Sequence, residues 1–83
     1  MKTITIRYFA SIREALGSGE SLQTSAATVA ELRDELIARG GAHAEALARG
    51  RAVRVALNQL MSDEAAALQD RAELAFFPPV TGG

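Results

Sequence analysis

Few residues in this sequence can do chemistry, and their spacing leaves most of them idle. His43 is the only histidine and there is no cysteine, so thiolate nucleophiles, disulfides and Cys-ligated zinc or iron–sulfur sites are excluded together. An imidazole among alanines, near only Glu45, lacks the partners that metal binding or proton relay needs, and it reads as a surface residue. Asp34-Glu35 and Asp63-Glu64 are adjacent carboxylates. Neighbours in sequence point in different directions on a helix or strand, so neither pair shares a site. Gly17-Ser18-Gly19 resembles a scrap of phosphate loop, but no Lys-Ser/Thr follows it. The serines and threonines have no histidine base in any recognisable order. What is left is the ending, FFPPVTGG, residues 76–83. Pro78 removes a backbone donor and holds Phe77 extended, which ends strand pairing there. Two prolines favour polyproline II, so the six residues 78–83 can reach roughly 18–20 Å beyond the body. Gly82-Gly83 has no side chains and fits a channel too narrow for a Cβ. At its tip stands an unhindered main-chain carboxylate. Such a group is inert to acyl transfer until ATP adenylates it; a sulfur nucleophile would then convert the acyl-adenylate to a thiocarboxylate.

The body must hold that arm. Its 83 residues make one domain, expected over residues 1–77, with the arm over residues 78–83. A chain this short buries only about 60–65% of its unfolded surface. The composition, 48% hydrophobic and 23% charged, is that of a folded domain and not of a disordered segment. A net charge of −1 offers no basic face for nucleic acid or an anionic membrane. The start, MKTITIRYF, alternates where a signal peptide would be continuously apolar, and no stretch approaches the roughly 18 apolar residues of a membrane span. A cytoplasmic location is expected.

Residues 2–9 alternate, placing Ile4, Ile6 and Tyr8 on one face of a strand. Ser11 and Glu14 have capping-box spacing ahead of a short helical turn that Gly17 stops. Residues 20–24 suit a second strand paired with the first. Thr28 and Glu31 open an amphipathic helix over residues 28–39, with Val29, Leu32, Leu36 and Ile37 inward and Arg33, Asp34, Glu35 and Arg39 outward. Residues 42–49 add a brief helical turn. Residues 53–57 alternate as a third strand, Asn58-Gln59 turns the chain, Leu60-Met61 begins a return strand, and residues 73–77 form the last strand. This order predicts an α+β fold: a mixed sheet of four to five strands with one main helix on one face, the first and last strands central. Phe9 and Phe77 then point away from Tyr8 and Phe76, and Met61 is surplus to the buried face. These three form an expected apolar partner-binding patch on the far side.

The whole chain resembles the small sulfur-carrier subunits of molybdopterin synthase, ubiquitin-like β-grasp proteins. The resemblance rests on Tyr8-Phe9-Ala10, Arg13-Glu14, Asn58-Gln59 and above all the ending Phe76-Phe77-Pro78-Pro79-Val80-Thr81-Gly82-Gly83. One departure is visible: the family commonly has a glycine in the turn before the last strand, and residues 69–73 contain none. The resemblance implies that an ATP-dependent adenylating enzyme charges Gly83 and that a sulfur donor converts it to a thiocarboxylate. The arm formed by Pro78, Pro79, Val80, Thr81 and Gly82 then enters the large synthase subunit, where sulfur passes to cyclic pyranopterin monophosphate. The implied assembly is a heterotetramer, two carriers on a dimer of large subunits. The carrier is not an enzyme on its own and binds no cofactor or metal. Two other readings share the residues: a carrier of this fold serving thiamine thiazole synthesis or protein modification, and a β-grasp interaction module whose tail does no chemistry.

Overall fold

In the computed structural model, which describes residues 1–79, the chain runs β1 (Lys2–Tyr8), α1 (Ala10–Leu16), β2 (Gly19–Thr24), α2 (Val29–Ile37), α3 (Gly41–Ala46), β3 (Arg54–Leu57), β4 (Leu60–Ser62) and β5 (Glu73–Phe77). The five strands form one sheet in the order β2-β1-β5-β3-β4. β1 and β5 run parallel; the other neighbours are antiparallel. β5 thus lies at the centre of the sheet, and its last residue, Phe77, leads directly into Pro78.

The alternation of β1 is what fixes the layers. Ile4, Ile6 and Tyr8 are buried on one face, with Leu74 and Phe76 of β5 and Val55 of β3 beside them. Ile12 of α1, Val29, Leu32 and Leu36 of α2, and Leu47 after α3 complete the same cluster. All three helices therefore cover one side of the sheet. Thr28 caps α2 as its spacing predicts, its hydroxyl accepting from the Glu31 N–H at 3.2 Å.

Arg33 departs from the expected outward face. It is 3% exposed, and its guanidinium donates to the Leu47 carbonyl (2.8 Å), the Ala48 carbonyl (2.7 Å) and Glu64 (2.6 Å). Glu64 also pairs with Arg49, which donates to Asp34 and to the Ala30 carbonyl. The network ties α2 to the segments on either side of β3 and β4. α1 also departs from its expected cap. The Ile12 and Arg13 N–H groups donate to the Phe9 carbonyl, so Phe9 is the cap and Ser11 lies inside the helix. The chain has already turned because the Phe9 N–H donates to Phe76 and Ala10 takes φ +53°.

Two turns set the sheet register. Asn58 and Gln59 both have positive φ (51° and 69°), matching the primed turn that a two-residue hairpin favours. Asn58 also binds the start of β5: its side chain accepts from the Glu73 N–H and its N–H donates to the Glu73 carbonyl. The glycine-free turn before β5 closes with Arg71 at φ +67°, pinned by its N–H to the Thr3 carbonyl, while the Thr3 N–H donates to Asp70. Tertiary hydrogen bonds here replace a glycine's freedom.

Candidate functional site

The helix-free face of the sheet carries the site. Along one row the register places Arg7 of β1, Ala75 of β5, Ala56 of β3 and Met61 of β4 side by side. The two alanines are small, and the larger residues around them make a depression of about 600 Å³. Phe9, Phe77 and Pro78 wall one end, and Arg7, Glu73 and Gln59 complete the rim. Phe9 is 42% exposed and Phe77 half-buried, each pointing away from its buried neighbour as a strand's two-residue period requires. The Arg7 guanidinium sits 5.9 Å from the Phe9 ring centroid and 4.0 Å from Glu73. The charge lies over the ring as a cation–π contact.

Phe9 and Phe77 thus meet in one depression, which Met61 does not line. Met61 lies one strand outward, opposite Ala56, and is 66% exposed. Leu60 is a further exposed apolar residue that the strand pattern alone does not reveal. It is 73% exposed, because it pairs with Leu57 at the outermost strand, beyond the cover of the helices. Edge position depends on strand order, which one strand's sequence does not display. The arm begins at the same place: Pro78 lines the depression that Phe77 walls, and Pro79 is half-buried beside it. Val80, Thr81, Gly82 and Gly83, the residues expected to carry the chemistry, lie outside the described residues.

Several titratable groups of the body are engaged in structure. Glu20 takes a bidentate pair from Arg39 at 2.8 Å, and this hydrogen bonding holds its carboxyl below the usual carboxylate range. His43 is less exposed than expected: it stands edge-on to the Tyr8 ring, 3.7 Å from Glu20 and 3.4 Å from Arg39. Burial, aided by the Glu20 charge, pushes the Tyr8 hydroxyl up to about 12. Among the described residues no group of three His, Asp or Glu side chains could hold a metal. What the described residues offer is an apolar depression at whose edge β5 runs out into Pro78 and Pro79.

A mixed five-stranded sheet that grips helices on one face, with its central strand leading into Pro78-Pro79, defines a small ubiquitin-like β-grasp protein. The model of the ThiS family matches residues 6–83. The chain is 37% identical to the molybdopterin synthase sulfur carrier subunit of Haemophilus influenzae over 81 residues, 96% of this chain and 99% of that one. Among solved structures, it resembles a chain in the complex of subunits 1 and 2 of molybdopterin-converting factor from Helicobacter pylori (27% identity, TM-score 0.69), covering 98% of this chain and 99% of that one. SAMP1 from Haloferax volcanii is similar too (29% identity, TM-score 0.74, the same coverages). The chain belongs to the ThiS family.

Proposed function

We propose that this protein is the sulfur carrier of a molybdopterin synthase and that its working group is the carboxylate of Gly83. The near-full-length match to a named sulfur carrier subunit carries this reading, and the continuity of the Phe9–Phe77 depression with Pro78 supports it. A carboxylate oxygen of Gly83 attacks the α-phosphorus of ATP on an adenylating enzyme, and pyrophosphate leaves. A sulfur nucleophile derived from a separate donor then attacks the acyl carbon, AMP leaves, and a thiocarboxylate results. ATP is the activating enzyme's substrate. Inside the large subunit the thiocarboxylate sulfur passes to cyclic pyranopterin monophosphate, and water returns Gly83 to a carboxylate. Two such transfers supply the two sulfurs of a dithiolene. Two carriers on a dimer of large subunits make the working heterotetramer, in the cytoplasm; no helix among the described residues is long and apolar enough to cross a membrane.

Each part of the chain has a role in this cycle. Phe9, Phe77 and Met61 dock the body, and Pro78-Pro79 hold the arm extended so that docking and insertion are one event. Preordering the arm spares its entropy at binding. Acid–base groups for sulfur transfer belong to the large subunit. The test is reconstitution of thiocarboxylated carrier, large subunit and cyclic pyranopterin monophosphate. Product should form with the intact chain and fail to form after deletion of Gly83. Phe77→Glu should fold normally yet weaken large-subunit binding tenfold or more, as expected for an aromatic anchor. Full activity of the Gly83 deletion would instead favour an interaction module whose tail is chemically silent.

A further inference from the structure

Arginine dominates the cations of this chain, eight residues against one lysine, and the structure divides them by use. Arg7, Arg33, Arg39 and Arg49 all reach carboxylates. Arg13, Arg51, Arg54 and Arg71 are exposed and form no ion pair among the described residues; of these, Arg51 and Arg54 stand close together in the chain. Both sit where the arm leaves the body. Arg54 pairs with Phe77 across β3 and β5. Arg51 and Pro78 line one small hollow, together with Ser11 and Ile12 of α1. On the other flank Arg7 lines the large depression with Pro78, its charge shared with Glu73. Asp63 and Glu64 border a surface hollow with Arg54, but neither makes an ion pair with it, and Glu64 is taken by Arg33 and Arg49. The net charge of the whole chain is −1, so this unbalanced positive pair is local and gives the surface a direction.

We propose that Arg51 and Arg54 form a cationic collar around the root of the arm, which steers the carrier, tail first, onto a partner protein whose tail-accepting channel is rimmed by carboxylates. The inference rests on the carrier reading above and names the chemistry of its partner's rim. Guanidinium groups suit the task because their planar fork takes a carboxylate bidentately and keeps its charge at any working pH. The collar is continuous with the Phe9–Phe77 depression, so the two divide the labour. Exposed rim charges act mainly on encounter and orientation, whereas the buried apolar anchors set how long the complex lasts. A nucleic-acid phosphate is the poorer match, since the patch offers two unpaired cations beside an apolar depression where a phosphate track needs a run of them.

Stopped-flow association with the large synthase subunit, followed across a salt series, tests this. For the wild-type chain the association rate should fall as salt rises. Arg51→Glu/Arg54→Glu should associate about tenfold or more slowly at low salt, converge on the wild type at high salt, and leave the dissociation rate nearly unchanged. Arg51→Lys/Arg54→Lys should keep most of the rate, which separates charge from shape. An association rate independent of salt in the wild type, or unaltered in a folded double-glutamate variant, would overturn the collar while leaving the carrier reading intact. A wild-type chain that does not bind the large subunit at all would overturn both.

Discussion

Replacing Arg33 with methionine isolates the interaction that the helical pattern conceals. Methionine matches the aliphatic stem and keeps helix propensity, so the change falls on the guanidinium. Three hydrogen bonds disappear, to the carbonyls of Leu47 and Ala48 and to Glu64. The losses are unequal. The Ala48 carbonyl still accepts from the Arg51 N–H, and Glu64 keeps Arg49. Leu47 is fully buried, and no other loop or cap hydrogen bond reaches its carbonyl among the described residues. A hydrogen bond to a charged donor contributes about 1.5–3 kcal/mol, and an orphaned buried carbonyl costs about 1–3 kcal/mol. Relief from burying a charge offsets part of the sum. The net expectation is a loss of about 2–4 kcal/mol. At roughly 0.05–0.15 kcal/mol per residue the whole domain holds about 4–12 kcal/mol, so the change is a large share of its stability. With an urea m-value near 1 kcal/mol/M, the unfolding midpoint should drop by about 2–4 M at unchanged slope. Arg39→Met is the matched control. It removes a partly exposed pair with Glu20, and it should cost about 1 kcal/mol or less. If the Arg33 variant unfolded within about 0.5 kcal/mol of the wild type, the network would be ornamental and the reasoning wrong.

Two further perturbations follow from the body's construction. Gly19→Ala would place a Cβ 2.2 Å from the Ile6 carbonyl oxygen at φ +146°, where backbone and not a pliable side chain must yield. It should cost at least about 2 kcal/mol, lowering the melting temperature by roughly 8 °C or more, and a shift within about 2 °C would count against it. Burial works to raise the Glu64 carboxyl, but hydrogen bonds from Arg49 and Arg33 outweigh it and hold the group below 4.5. A depressed acid contributes stability above its unfolded value and loses it as pH falls through the folded one. The stability difference between the wild type and Glu64→Gln should therefore be largest near neutrality and shrink below about pH 4.5. Denaturant titrations across that range showing a constant gap would contradict the linkage.

Much of the fold was legible because it is local. The period of Ile4, Ile6 and Tyr8, the cap at Thr28 and the Asn58-Gln59 turn each depend on neighbours within a few residues, and all appear where expected. The outward direction of Phe9 and Phe77 follows from the same two-residue period. What escaped was set by distant chain. Arg33 is buried because its acceptors arrive from 14, 15 and 31 residues away. Leu60 is exposed because β4 falls at the edge of the sheet, and Arg71 turns without glycine because Thr3 holds its N–H. The depression itself arises when β5 sets Ala75 beside Ala56, a pairing no single strand encodes.

Charging of the carrier exchanges one terminal oxygen of Gly83 for sulfur, and intact mass spectrometry reads that exchange directly. The protein would be incubated with ATP, the adenylating enzyme of its own host and a sulfide source. The expected result is a mass increase equal to one oxygen exchanged for sulfur, located on Gly83 by fragmentation and absent from the Gly83 deletion. An unchanged mass, with the same enzyme preparation charging another carrier, would contradict the assignment of this chain as a sulfur carrier.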